Sequence, residues 1–145
     1  MCSHYQAIKE RERYFKAFGV FPPDDLGRYD VWPGYPATFI RRPLEADSGD
    51  DAVPPRQAMT GLFGLVPHWA PELKIARHTF NARSETVASK PSFRDAWKHA
   101  QRCIVAADAF YEPDWRSGKA VATGIARADG EAMGIAGLWS SWKSP

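Results

Sequence analysis

Residues 103–111 form a nearly continuous apolar run, and this run constrains the fold more than any other feature of the sequence. An apolar run of this length predicts a β-strand that is covered on both faces, as in the middle of a buried sheet. Such a strand needs neighbours with which to pair. The remaining segments of the chain must therefore supply further strands.

Two earlier segments also have strand character. Residues 35–41 carry alternating apolar side chains, and residues 59–69 are typical of a short apolar strand closed by a proline turn. Between them, residues 45–55 are acidic and contain glycine and proline, which indicates a surface loop. This part of the chain therefore predicts two strands joined over the protein surface.

Helical signals are short. The aromatic residues within 9–18 are grouped as an amphipathic helix would place them, and Gly19 is expected to end that helix. Ser92 is expected to cap a second helix, with Asp95 at its third position and an end near Gln101. Both helices are predicted to be minor elements beside the strands.

The last part of the chain predicts a β-hairpin, with strands at residues 120–126 and 132–139 and a turn at Asp129 and Gly130. Several strands with few helices between them favour an α+β fold, built on a mainly antiparallel, barrel-like sheet with a few short helices. We expect one domain over residues 1–145. Because the chain stops just beyond a hydrophobic strand, we expect it to be the N-terminal portion of a longer domain.

The composition is that of an ordinary globular protein. The chain has 145 residues, of which 44% are hydrophobic and 25% are charged, so it is long enough to bury one core. It contains neither an apolar run of the roughly 20 residues that span a bilayer nor a secretory signal. These properties predict a cytoplasmic, nucleoid-associated protein without a membrane partner, and we expect a monomer.

Basic residues are concentrated in one segment, although the net charge of +2 does not by itself indicate nucleic acid. Residues 74–102 contain two acids, Glu85 and Asp95, against a larger basic set. That segment can present a positive surface, or it can consist of ordinary solvated helix and loop faces. The basic set is Lys74, Arg77, Arg83, Lys90, Arg94, Lys98 and Arg102.

Cys2 is the first candidate for chemistry. A small residue after the initiator methionine normally allows removal of Met1, which would leave Cys2 with a free α-amine beside its thiol. The α-amine has a reference pKa of about 7.7 to 8.0 and the thiol one of about 8.5, so both groups are usable near neutral pH. An aldehyde would form a Schiff base with the amine, and the thiol would close a thiazolidine ring.

Two further parts of the sequence, residues 79–85 and Glu112, offer polar side chains as candidates for chemistry. Residues 79–85 are too polar for a core strand, and within them Asn81 can orient a carbonyl or an amine while Arg83 can bind a phosphate. Glu112 follows the most apolar strand, where a carboxylate is expected to be partly desolvated and is a candidate proton shuttle. Ordinary loop polarity and an exposed strand-end acid are the alternative interpretations.

The cysteines and histidines do not predict a metal site. The sequence has two cysteines, Cys2 and Cys103, and contains no paired CxxC or HExxH cluster. Cys103 opens the apolar run and is expected to be a small buried hydrophobic residue. We therefore expect neither a metal nor another cofactor.

Taken together, these segments resemble the SOS response-associated peptidase family, whose members shield abasic sites in single-stranded DNA. The resemblance rests on Met1-Cys2 followed by Tyr5, and on Asn-Ala-Arg-Ser-Glu-Thr at residues 81–86. It continues in order through residues 61–69, 91–94, 102–103 and 110–112. Members of this family run well beyond 200 residues, and their His-x-Arg-Met-Pro motif is not present in this chain.

The resemblance implies a role for each matching residue. Cys2, exposed by removal of Met1, would bond to the ring-opened sugar aldehyde, Asn81 would position the Cys2 terminus, and Glu112 would move protons. The DNA would be held by Arg83 and Arg94 at its phosphates and by Trp69, which would stack on or wedge beside an exposed base. His4 and Arg77 complete the expected DNA-binding set. His4 stands where the family carries an arginine, which predicts phosphate binding that is either weaker or dependent on pH. None of His4, His68, His78 or His99 takes the role of the family's catalytic histidine.

Three functions therefore follow from the sequence as hypotheses. The first is a covalent trap for abasic sites in single-stranded DNA, with peptidase and lyase-like activity in the DNA damage response. The second is a noncovalent module for single-stranded DNA, in which Cys2 is inert. The third is an amidohydrolase that uses Cys2 as an N-terminal nucleophile.

Overall fold

The computed structural model describes residues 2–145, and its centre is a seven-stranded sheet in which the paired strands run antiparallel. An α+β fold with a mainly antiparallel sheet is thus confirmed, although the described strands do not close into a barrel. The elements in chain order are β1 (His4–Ala7), α1 (Arg11–Phe18), β2 (Asp30–Val31), β3 (Pro36–Arg41), β4 (Gln57–Leu62), a 3-10 helix (Leu73–Arg77), α2 (Arg94–Lys98), β5 (Arg102–Asp114), β6 (Val121–Ile125) and β7 (Met133–Leu138).

The long strand β5 is the common neighbour of four other strands. The connected order of the sheet is β2, β1, β5, β3, β4, and β6 and β7 also pair with β5. One edge of β5 carries β3 near its start and β1 further along. The other edge carries β7 beside residues 102–107 and β6 beside residues 110–114. The predicted apolar run is therefore the central strand of the fold.

The predicted hairpin of the last two strands is wrong in its pairing. The strand positions and the turn are present, with the Gly130 amide donating to the Arg127 carbonyl at 3.2 Å. However, β6 and β7 each pair with β5. The reason is length, because β5 has 13 residues and one of its edges accommodates both short strands end to end.

Burial along β5 is less uniform than its sequence predicts. Ala106 and Ala107 are 2% and 0% exposed, so the middle of the strand is covered on both faces. Ile104, near its start, is 37% exposed. The prediction of a strand covered on both faces therefore holds only for its central part.

Helix α1 ends where the sequence predicts. Gly19 has a φ of 69°, in the left-handed region that favours glycine, and its amide donates to the Phe15 carbonyl at 2.7 Å. On the inward side of the helix, Tyr14 packs with Ile8 and Ile40 in a core cluster against the sheet. Helix α1 therefore covers this face of the sheet.

Helix α2 is shorter than predicted, and the predicted Ser92 cap is wrong. The helix spans Arg94–Lys98, its N-cap residue is Phe93, and no side chain caps it. The amides of Phe93 and Arg94 donate instead to the Lys90 carbonyl at 3.0 and 2.9 Å, so a backbone turn replaces the serine hydroxyl. No helix within residues 2–145 is long and apolar enough to cross a membrane.

Candidate functional site

Cys2 is placed beside the second half of β5 by the pairing of β1. The Ser3 amide donates to the Tyr111 carbonyl at 2.8 Å, and His4 lies opposite Tyr111 in the strand register. Tyr5, the next inward residue, is 2% exposed and anchors β1 in the core. The second residue of the chain is therefore held against the sheet by its neighbours.

The Cys2 thiol is half-buried, and its surroundings favour the neutral form. Burial raises the pKa of the thiol, the charge of Glu112 raises it further, and a backbone hydrogen bond at Tyr111 acts in the opposite direction. The Sγ atom donates to the His4 carbonyl at 3.4 Å. At neutral pH this thiol is therefore protonated, and its reaction as a nucleophile requires transfer of that proton to a base.

Asn81 contacts Cys2 directly, because its Nδ2 donates to the Cys2 carbonyl oxygen at 2.9 Å. Two residues earlier, the Thr79 hydroxyl donates to the Leu65 carbonyl at 2.6 Å, and the Leu65 amide donates back to the Thr79 carbonyl at 3.0 Å. Thr79 is 7% exposed, so this double contact is shielded from water. The chain just before Asn81 is thereby fixed against residues 64–66.

A glycine is required at the turn that leads into this contact. Gly64 has a φ of 112°, and a Cβ atom built on it would lie 2.1 Å from the Ala76 carbonyl oxygen in the 3-10 helix. That separation is far inside any allowed contact, and the oxygen belongs to backbone, which cannot rotate away. Gly64 thus permits the turn to pack directly on the 3-10 helix that precedes Thr79.

Cys2 and Asn81 both line a cleft of about 700 Å³. Most of its other walls are apolar, and Cys103 is also among them. Cys103 is buried as predicted, at 7% exposure, and burial raises the pKa of its thiol to about 11. The large side chains of the lining include Phe80, Phe93, Trp97, Leu138, Trp139 and Trp142.

The residues predicted from the sequence fall into two groups. Cys2 and Asn81 are in contact, and Glu112 is half-buried and close enough for its charge to act on the Cys2 thiol. The side chains predicted to bind DNA do not line the cleft. Among them, His4 is half-buried and the other four are exposed. The exposed set is Trp69, Arg77, Arg83 and Arg94.

The sequence analysis missed a stack of three rings at this site. The His4 ring lies between the rings of Trp32 and Tyr111, with centroid distances of 4.0 and 4.3 Å. We call Trp32, His4 and Tyr111 the three-ring stack. The three residues lie in separate parts of the chain, and only the pairing of their strands brings them together, so no local pattern could have indicated it.

Within residues 2–145, no group of three or more histidine, cysteine or carboxylate side chains lies close enough to hold a metal ion. The site itself presents the Cys2 thiol, the Asn81 amide and the nearby carboxylate of Glu112.

The two thiols are expected to differ strongly in their reaction with iodoacetamide at pH 8. A pKa of about 11 leaves roughly one Cys103 thiol in a thousand ionised at that pH, and its side chain is also buried. Cys2 is half-exposed, so we expect it to be alkylated at least about tenfold faster. Mass spectrometry of the tryptic peptides over time would measure both rates, and equal rates would contradict the burial described for Cys103.

The fold and the site define a class: an α+β protein whose candidate nucleophile is a cysteine at position 2, held by an asparagine that follows the buried Thr79. The family model for "SOS response associated peptidase (SRAP)" matches residues 1–145. The chain belongs to the SOS response associated peptidase family.

Named relatives agree with this assignment. The chain is 38% identical over 84 residues to "Abasic site processing protein YoqW" of Bacillus subtilis, a match that covers 57% of this chain and 37% of the relative. It is 39% identical over 71 residues to "Abasic site processing protein HMCES" of Rattus norvegicus, covering 47% of this chain and 19% of the relative. These matches span well under half the length of either relative.

Solved structures share the fold. A protein from Bordetella bronchiseptica has 49% sequence identity and a TM-score of 0.82, with 99% of this chain and 65% of that chain covered. A protein from Bacteroides thetaiotaomicron has 21% identity and a TM-score of 0.73, with 99% and 62% covered, and this likeness concerns the fold alone.

Proposed function

We propose that this chain recognises abasic sites in single-stranded DNA and bonds covalently to them through Cys2 after Met1 has been removed. The observation that carries the proposal is the 2.9 Å hydrogen bond from Asn81 to the Cys2 carbonyl, which fixes the terminal residue beside the cleft. The names of the relatives, abasic site processing proteins, support the choice of substrate.

The proposed reaction needs two bonds to the aldehyde carbon of the ring-opened sugar. The Cys2 amine adds to the aldehyde and water leaves, which gives an imine. The thiol then adds across the C=N bond, so that sulfur bonds to carbon, the sulfur proton is lost and nitrogen gains a proton. The product is a five-membered thiazolidine. No oxidant or reductant is required, and the net by-product is one water.

Two neighbouring side chains support this sequence of steps. Asn81 holds the Cys2 carbonyl and thereby limits rotation of the terminal residue, which would keep amine and thiol directed at one carbon. The Cys2 thiol has a raised pKa, so ring closure requires a proton acceptor. Glu112, whose charge acts on that thiol, is the proposed acceptor and the donor to the departing water.

Further side chains would hold the DNA on either side of the lesion. Exposed Arg77, Arg83 and Arg94 would hold phosphates, since one guanidinium group can donate two parallel hydrogen bonds to two oxygens of a phosphate. Trp69, which is 48% exposed, would stack against an unpaired base. His4 would lie near the lesion, because its backbone carbonyl accepts a hydrogen bond from the Cys2 thiol.

Exposure of the Cys2 amine requires hydrolysis of the Met1–Cys2 peptide bond, which consumes one water. We propose that the chain processes its own terminus, or that an aminopeptidase does so, and that peptidase activity is confined to this step. The bonding to abasic DNA is lyase-like, and the protein would act as a monomer at the nucleoid in the DNA damage and SOS response. Because the chain spans only part of its relatives, each of these activities is a proposal for this chain.

The direct test is intact-mass measurement after incubation with a single-stranded oligonucleotide that contains one abasic site. We expect a heat-stable species equal in mass to protein plus DNA minus one water, and a protein mass that lacks Met1. Pretreating the DNA with methoxyamine, which caps the aldehyde as an oxime, should abolish that species.

Other outcomes of this experiment would overturn the proposal. Salt-sensitive binding without an adduct would indicate a noncovalent DNA-binding module. Hydrolysis of amide substrates without an adduct would indicate an N-terminal-nucleophile amidohydrolase. An adduct that survives methoxyamine treatment would show that the aldehyde is not the reacting group.

A further inference from the structure

We propose that the three-ring stack is a platform for a nucleobase, and that the base next to the abasic site stacks on the outer face of Trp32. This inference rests on the proposed function, since it concerns the DNA around the lesion. It assigns Trp32 and Tyr111 to a subsite for the neighbouring nucleotide, with a purine preferred over a pyrimidine.

The three rings form a nearly parallel stack. The planes of Trp32 and His4 meet at 13°, and those of His4 and Tyr111 meet at 10°, so the stack is nearly parallel throughout. Trp32 directly follows β2, His4 lies in β1 and Tyr111 lies in β5, so the order of the rings is that of these strands in the sheet. A further flat ring added at the end would continue the same parallel arrangement.

One end of the stack is covered by the protein, and the other end is open. At the β5 end, a Cβ atom at Gly124 would lie 3.2 Å from the Tyr111 ring, so β6 packs closely against that ring. At the other end, Trp32 directly follows β2, the edge strand of the sheet, and is 44% exposed. The open aromatic surface of the stack is therefore the one that Trp32 presents.

The stack is linked to the candidate nucleophile through the backbone of His4. The Cys2 thiol donates to the carbonyl of His4, the middle residue of the stack, at 3.4 Å. The Ser3 hydroxyl lies 3.2 Å from His4 Nδ1 and donates to the Tyr111 carbonyl at 3.3 Å, which ties the rings to the same strands. A sugar bonded to Cys2 would consequently place an adjoining nucleotide within reach of the stack.

A basic side chain packs against the chain just after Trp32. Gly34, two residues after Trp32, lies against Arg77, with the Arg77 Cγ 3.7 Å from the point where a Cβ of residue 34 would stand. Arg77 is exposed and carries a permanent positive charge. A base stacked on Trp32 and a phosphate bound by Arg77 would fit this arrangement, and the larger ring system of a purine would cover more of the tryptophan.

Fluorescence of 2-aminopurine provides the test, because stacking quenches it. The probe DNA carries a tetrahydrofuran abasic analogue, which has no aldehyde, with 2-aminopurine on its 5′ or 3′ side. We expect quenching on one side only, and we expect Trp32→Ala to abolish the quenching and weaken binding about tenfold. Trp32→Phe should retain part of both, and a flanking purine should bind more tightly than a flanking pyrimidine.

Phe21→Ala is the matched control, because Phe21 is an exposed ring that stacks on Phe15 of α1 at 4.2 Å and lies outside the cleft lining. It should leave quenching and affinity unchanged. If the protein forms the covalent adduct while Trp32→Ala binds and quenches normally, the platform is overturned and the proposed function stands. If quenching depends on Trp32 but natural abasic DNA gives no adduct, the platform stands as a binding subsite and the covalent function fails.

Discussion

Replacing Cys2 with serine is expected to reduce the heat-stable adduct with abasic DNA to below roughly one hundredth of the unmodified protein's yield. Serine is also small, so removal of Met1 and the α-amine are retained, and the imine can still form. The hydroxyl closes the ring far less effectively than sulfur, so the imine hydrolyses on heating. Denaturing gel electrophoresis with labelled single-stranded DNA would measure the loss.

Sodium borohydride separates the roles of the two functional groups in this variant. Reduction converts an imine into a stable amine, so borohydride should restore the adduct of Cys2→Ser if the amine attacks first. Cys103→Ala is the control, because it removes the buried thiol and should leave the adduct unchanged. An adduct that persists in Cys2→Ser without reductant, or disappears in Cys103→Ala with the fold intact, would contradict the proposed chemistry.

Replacing Gly64 with alanine is expected to have the largest effect on stability. The new Cβ would lie 2.1 Å from the Ala76 carbonyl oxygen, and the φ of 112° is strained for any residue with a Cβ. Moving the backbone to relieve this contact should cost about 3 kcal/mol or more of the free energy of unfolding. Thermal unfolding followed by circular dichroism should show a decrease in Tm of about 10 °C.

Because Gly64 precedes the segment paired with Thr79, the same variant should also disturb the contact between Asn81 and Cys2. Gly118→Ala is the matched control, since Gly118 has a φ of 79° and no atom lies within 4 Å of the point where its Cβ would stand. It should lose only about 1 kcal/mol, the ordinary cost of a left-handed alanine. Equal losses in the two variants would show that the close approach to Ala76 is unimportant.

Features governed by neighbouring residues were predicted well from the sequence. Gly19 ends α1 because a left-handed residue completes the last turn, and this signal is local. The apolar run of β5 was placed within a few residues because a buried strand needs such a run. The Ser92 cap failed although its local signal was sound, because a backbone turn at Lys90 already satisfied the same amides.

Features that depend on distant pairing were predicted poorly or only through resemblance. The partner of β6 and β7 is decided by the free edge of β5, and nothing within residues 120–139 specifies it. The contact between Asn81 and Cys2 joins residues 79 positions apart, and only the family resemblance anticipated their association. The three-ring stack was missed because the register of β1 with β2 and β5 is not readable from any one of these strands.

The pairing of β1 with β5 also sets the order in which the protein matures. During synthesis β1 emerges first, yet its longer pairing is with residues 107–111, which are translated at least a hundred codons later. Until then β1 has only the two-residue strand β2 to pair with, so enzymes that trim nascent chains would be able to reach the terminus. Removal of Met1 would thus be able to precede the pairing of β1 with β5. The Cys2 thiol and the freed α-amine would then enter the site together.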